Sequence, residues 1–134
     1  MAIQLSTAVR NARIAAIETT VGSGPLLQIR SGPPPASPAA ADAGALLAEI
    51  TLPSDWLTAP AGGAASLIGT PGVAALAGGT AGHYRLKDSS GATCHEQGTV
   101  TATLGGGDMT VDNVSVGIGQ PVILTGYTRI DGNV

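Results

Sequence analysis

The pattern of apolar and polar positions divides the chain into one helical stretch followed by a run of short strands. In the first 22 residues Leu5, Val9, Ala12 and Ala16 recur at spacings of three and four, and Ile14, Ile17 and Val21 form an adjacent row. Those spacings give a helix with a wide apolar face. Ser6 or Thr7 can cap its N-terminus, and Gly22 is placed to end it in a left-handed cap. Arg10 and Arg13, three residues apart, lie close together on its surface. A helix this short is marginal alone, so it must dock on its own domain or on a neighbouring subunit.

Beyond Gly22 the periodicity changes to that of strands. Leu26 to Ser31 alternates in part between Gly24-Pro25 and Gly32. Leu46 to Leu52 puts Ile50 and Leu52 on one side and stops at Pro53. Between them Gly32-Pro33-Pro34-Pro35 lacks the donors a sheet needs and predicts an extended polyproline stretch, followed by a loop from Pro38 to Gly44. Residues 58–82 are rich in Ala and Gly and carry no charge. Their register information is weak, and they predict loops with short strands at Ala65–Gly69 and Val73–Ala77.

The clearest hairpin spans His83 to Val100, turning at Ser89-Ser90-Gly91. A three-residue loop pairs Asp88 with Ala92 and sets Leu86 opposite Cys94 and Tyr84 opposite Glu96. The other face, with His83, Arg85, Lys87, Thr93, His95 and Gln97, is then wet or held against a partner. Thr99–Leu104, Asp108–Val116 and Gln120–Ile130 complete the strands, with Asp112-Asn113 as an interruption. Several short strands at this spacing predict a mainly β protein: an antiparallel β-sandwich, jelly-roll-like, with one N-terminal α-helix. Residues 1–22 form a helical arm and residues 23–134 the sandwich domain, with a Pro-rich loop (32–44) and an Ala/Gly-rich one (58–82).

Composition changes this picture in one respect. Charged residues are only 11% of the 134, against roughly a quarter in an ordinary soluble domain, while hydrophobic residues are 43% and the net charge is −3. Disordered chains combine high charge with low hydrophobicity, the opposite of this. Depletion of charge suits a surface covered in an assembly. Six Lys and Arg in no basic stripe argue against a nucleic-acid partner. The first 20 residues have no continuous apolar core of a signal peptide, and no segment approaches the ~20 apolar residues of a membrane span. The expected location before assembly is therefore the cytoplasm.

Candidate chemistry is sparse. Cys94-His95-Glu96 combines a nucleophile, a base and a carboxylate, but neighbours on one strand face opposite ways, so Cys94 and His95 do not pair easily. Cys94 is the single cysteine, so no intrachain disulfide forms. His83 and His95 could meet diagonally across the hairpin, yet no zinc-ligand spacing is present. Gly105-Gly106-Gly107-Asp108 lacks the Lys-Ser/Thr of a phosphate loop and is a turn before a strand. No catalytic, cofactor or metal residue is assigned. Trp56, the single Trp, is either core or an intersubunit anchor.

The opening MAIQLSTAVRNAR (Met1–Arg13) with Ile17-Glu18-Thr19-Thr20, LLAEITLPSDW (Leu46–Trp56), GGTAGHYRLKDSSG (Gly78–Gly91) and Gly107-Asp108-Met109-Thr110 resembles a family of small tailed-phage structural proteins. The likeness runs over most of the chain and is weakest across Pro60–Ala77. It implies a virion protein, foremost a capsid cement (decoration) protein on the capsid exterior, bracing capsomer junctions. Its partners would be the major capsid protein and its own copies, as a homodimer or homotrimer, with no nucleic acid, membrane or cofactor. A tail or head–tail connector component is the neighbouring alternative; a small Cys/His-dependent or metal-dependent hydrolase is the alternative of another class. The candidate interface residues are Arg10, Arg13, Ile17, Pro34, Trp56, His83, Arg85 and His95.

Overall fold

The computed structural model describes residues 3–131, so Met1, Ala2 and residues 132–134, at the ends of the two predicted units, lie outside the described residues. Within them, helix α1 (Thr7–Val21) is followed by β1 (Leu26–Ser31), β2 (Leu46–Thr51), β3 (Ala64–Ser66), β4 (Gly72–Ala74), β5 (Gly79–Lys87), β6 (Cys94–Ala102), β7 (Met109–Val111), β8 (Ser115–Val116) and β9 (Pro121–Ile130). The protein is mainly β with one helix. The strands pair along one path, β2-β1-β5-β6-β7-β9-β3, with β4 added to β9 and β8 to β5.

The pairs are antiparallel except β6 with β7, so the sheet is mixed, which corrects the purely antiparallel expectation. It curls as a half-barrel around its core. The reason for the parallel pair is local. The chain doubles back from Ala102 to Met109, which pairs with Val100, through a short Gly-rich loop that replaces the long crossover such pairs ordinarily need.

The inner face carries Leu27, Ile29, Leu47, Tyr84, Leu86, Met109, Val111, Val122 and Leu124, with Trp56 laid among them at 1% exposure. Burying each such side chain contributes about 1.5–3 kcal/mol, so the interior of this curl is the main source of stability.

The helix begins at its predicted cap and ends at Gly22, but that glycine has ψ −173°, an extended conformation at positive φ and not the left-handed cap expected. Ser6 Oγ accepts from Val9 N–H at 3.2 Å, and Gly22 takes φ 89°, which a glycine adopts without strain. Only part of the predicted apolar face is used: Ile14 and Val21 are buried and Ile17 packs against the core, whereas Val9, Ala12 and Ala16 face outward. The helix packs in cis, and polar contacts hold it. Arg10 Nε donates to Asp131 O, Asn11 Oδ1 accepts from Gly63 N–H at 2.8 Å, and Arg13 pairs with Asp131 at 3.0 Å. Glu18 Oε2 accepts from the backbone N–H groups of Trp56 (2.9 Å) and Leu57 (2.6 Å), fixing the turn that delivers the tryptophan to the core.

The hairpin register differs from the expected one. Asp88 N–H bonds to Thr93 O, not across to Ala92, and a bulge follows at Leu86/Lys87. Leu86 therefore faces Glu96, Tyr84 faces Gly98 and Lys87 faces Cys94. The Asp88 carboxylate drives the longer turn, capping the N–H of Ala92 and accepting from Ser90 Oγ.

Replacing Glu18 by Ala strands two backbone donors beside the core and should cost about 2–4 kcal/mol. Urea unfolding followed by fluorescence of Trp56 should show the midpoint falling with an unchanged slope, and Glu18→Gln, which keeps one acceptor oxygen, should lose less.

Candidate functional site

Two polar clusters and one groove gather the chemistry-bearing side chains. The first cluster lies on the outer face of β1, β5 and β6, where the sequence predicted a wet or partner-bound surface. His83, Arg85 and Lys87 are instead buried, at 0%, 2% and 7% exposure. The cover is the chain's own 32–44 loop. Arg85 Nη2 donates to Pro38 O (3.0 Å) and Ala40 O (2.9 Å), Gln97 Nε2 to Pro35 O (2.7 Å), and His83 Nδ1 lies 2.8 Å from Gly32 O. Gly82 permits this approach, since a Cβ there would stand 2.3 Å from Gly32 O.

Asp42 is the centre of this cover. Its carboxylate meets Lys87 Nζ at 2.6 Å, Arg30 Nη2 at 3.1 Å and Arg85 Nε at 2.9 Å, the last close enough for an ion pair though not aligned as a hydrogen bond. Burial works against the ionised carboxyl. The Lys87 hydrogen bond and the charges of Arg30, Lys87 and Arg85 outweigh it and hold the Asp42 pKa below the ordinary carboxylate value. A cleft of about 740 Å³ opens beside Asp42, Arg85, Lys87 and Cys94. Burial raises the Cys94 thiol pKa despite the cations nearby, so it stays protonated, donating to Glu96 O at 3.2 Å.

The second cluster bridges a split in the sheet. Beyond β7, strands β6 and β9 diverge, and Glu96 spans the gap. Its Oε2 accepts from the hydroxyls of Tyr84 (2.8 Å) and Tyr127 (2.6 Å), and its Oε1 lies 3.1 Å from Arg129 Nη1. The two rings meet edge to face, centroids 6.1 Å apart. Burial, then the Glu96 charge and hydrogen bond, push both phenol pKa values upward, so the tyrosines remain proton donors. With both oxygens of Glu96 engaged and both phenols locked as donors, this cluster works as a clamp.

The groove, about 460 Å³, runs between α1 and strands β6 and β9 and is lined by Ala16, Ile17, Val21, Arg13, His95 and Arg129 among others. It brings together three of the predicted interface residues: Arg13, Ile17 and His95. The other five lie elsewhere. Arg10 ties α1 to Asp131 and Gly62, and Pro34 sits half-buried in the covering loop. Trp56, His83 and Arg85 are enclosed by their own domain and offer a partner no surface.

Cys94 and His95 line different clefts, but a bulge that skips His95 breaks the expected alternation and sets Cys94 opposite Lys87 instead of Leu86. His83 does not meet His95. It pairs across with Thr99, four residues along β6 from His95 and so roughly 13 Å away. Among the described residues no three His, Cys, Asp or Glu side chains converge as a metal site, and no helix is long and apolar enough to cross a membrane.

No family model, no curated protein and no solved structure matches the chain.

Glu18, Asp42 and Asp131 are not marked as site residues by the sequence reading, and Glu96 enters it only as the carboxylate of Cys94-His95-Glu96, not as a clamp. Two carried a signal: Glu18 is the sole acid before Asp42, and Asp42 is the sole charge between Arg30 and Glu49. A lone charge in a long uncharged segment needs a partner elsewhere.

The depressed Asp42 pKa stabilises the fold above its unfolded-state value near 3.8, and that contribution is lost as pH falls through the lower folded-state value. Thermal midpoints measured from pH 6 to pH 2.5 should fall at the acid end in the wild type, with this component missing in Asp42→Asn. At pH 7 Asp42→Asn leaves three cations without their counter-charge and should cost about 1–3 kcal/mol, with faster amide exchange in residues 36–45.

Proposed function

We propose that this chain is a phage virion structural protein, a cement protein on the capsid exterior that stabilises capsomer junctions by packing against the major capsid protein and its own copies. One observation carries the packing role. Residues 58–82 and 113–128 contain no charged side chain, and the fold joins them where β4 lies against residues 121–123 of β9 and the start of β5 lies against β8. The result is an uncharged region of surface from which Leu76 (58%), Ile118 (80%) and Ile123 (39%) stand exposed. Backbone bonds between Ala75 and residues 119 and 120 bring Leu76 and Ile118 onto neighbouring turns. Surfaces stripped of charge and carrying clustered large apolar side chains are those that proteins bury against other proteins.

The phage setting is supported by the likeness of Met1–Arg13, Leu46–Trp56 and Gly78–Gly91 to small tailed-phage proteins. The finer description of the body as a jelly-roll-like sandwich belongs to the same proposal, with the curled sheet as its scaffold. Many weak apolar contacts, repeated over a shell, add to strong attachment. Catalysis has no part in the proposal, because the nucleophile Cys94 is protonated and lies in a different cleft from His95.

Mass-spectrometric counting on purified particles should find hundreds of copies; a dozen or fewer would move the protein to the tail or neck. Ile118→Asp should leave the thermal midpoint nearly unchanged, being a surface substitution, and lower the copy number at least tenfold. Cys94→Ala with His95→Ala should leave particle yield and infectivity intact, and loss of infectivity with normal particles would return the hydrolase alternative.

A further inference from the structure

We infer that residues 33–43 form a strap that swings open as one body, with the rest of the fold intact, and uncovers the cationic face of β1 and β5. Its opening does not depend on the virion role proposed above. None of residues 32–45 is buried, and only Pro34, Pro35 and Ala40 are half-buried. None belongs to the apolar core. Lifting the strap therefore loses no core packing, the main source of stability elsewhere in the fold. The surface beneath is polar as well. The four buried polar side chains among the described residues, Gln28, His83, Arg85 and Lys87, all lie on this face. Once the strap leaves, water can take over the hydrogen bonds it made to them.

The base of the strap is closed independently of its tip. Ser31 N–H donates to Ala45 O at 3.1 Å, and Ala45 N–H donates to Ser31 Oγ at 2.8 Å. Arg30 Nη1 donates to Gly44 O at 3.3 Å, and His83 Nδ1 lies against Gly32 O, at the same base. A loop whose ends are held together can move without disturbing the strands it joins. Both pivots are glycines in the left-handed region, Gly32 at φ 77° and Gly44 at φ 71°, with no Cβ to restrict a change of φ. Between them Pro33, Pro34, Pro35 and Pro38 have φ fixed by their rings, so the segment moves as a stiff unit.

Polar contacts at three places latch the strap. Gln97 Nε2 donates to Pro35 O, Arg85 Nη2 donates to Pro38 O and Ala40 O, and the Asp42 carboxylate meets Lys87, Arg30 and Arg85. One carboxylate thus serves three cations, and its side chain is 33% exposed, so water competes for those ion pairs. When the strap lifts, the three cations lose that counter-charge. The wall that Pro38, Ala40 and Asp42 give the cleft beside Cys94 goes with it, and Lys87 becomes accessible from solvent.

Lys87 is the single lysine of the chain, so its acylation reports on the strap. With the strap closed its ammonium is buried and held by Asp42 at 2.6 Å. Acetylation of the full chain by an N-hydroxysuccinimide ester, read at Lys87 by peptide mass spectrometry, should be roughly a hundredfold slower than that of a free lysine amine. In urea below the unfolding transition of Trp56 fluorescence the rate should stay flat, because opening the strap exposes little surface. Asp42→Asn should raise the rate about tenfold or more. Gln97→Glu keeps the acceptor that Arg85 uses and sets a carboxylate against Pro35 O, away from Lys87. It should also raise the rate at Lys87, because the strap lifts as one body. A wild-type rate that climbs with urea in step with global unfolding would overturn the inference, and so would acetylation as fast as that of a free amine. Unchanged protection of Lys87 in Gln97→Glu would overturn it too, by showing that the strap frays piecemeal. The wild-type urea series decides the matter even where a variant folds poorly.

Discussion

A sheet face rich in donors is closed by a loop that can supply little but acceptors. The outer face of β1, β5 and β6 presents Arg30, His83, Arg85, Lys87 and Gln97, side chains that bring many N–H groups and few oxygens. The 32–44 loop is built around four prolines, which have no N–H, and its carbonyls at Gly32, Pro35, Pro38, Ala40 and Gly44 answer those donors. Asp42 supplies the counter-charge that makes burial of three cations tolerable. With the loop in place, the sheet is covered on both faces over this region, by apolar packing inside and by a polar layer outside.

Carboxylates act as clamps elsewhere too. Glu18 fixes the turn before Trp56, Glu96 spans the split between β6 and β9, Asp108 holds the apex of that split through Thr99, and Asp131 receives Arg10 and Arg13. A chain with so few charges therefore uses a large share of them internally. What remains on the surface over β4, β8 and the first half of β9 is uncharged, and water gains little by holding it. Low charge content and the proposed packing role fit together: ionic groups stabilise the fold from within, and part of the exterior is left free to pack.

The proposed packing region around Leu76 and Ile118 is broad and carries little directional information, suited to attachment at many equivalent places. It is compatible with an N-terminal helix that packs in cis, tied to its own domain through Arg10, Asn11 and Glu18.

Local rules of sequence determined the helix, its N-cap and its end at Gly22, the bounds of β1, the interruption at Asp112-Asn113 and the turn at Gly91. Each of these depends on neighbours a few residues apart: periodicity, a missing proline donor, a glycine's freedom. Tertiary structure alone decided the rest. The hairpin slipped from its expected register because the Asp88 side chain built a longer turn. The face bearing His83, Arg85 and Lys87 became interior because a loop about 45 residues distant in sequence lies over it. Trp56, open between core and interface, went inside because Glu18 draws its turn inward. Such outcomes depend on which donor meets which acceptor across the whole chain, and no local pattern of hydrophobic and polar residues encodes that pairing.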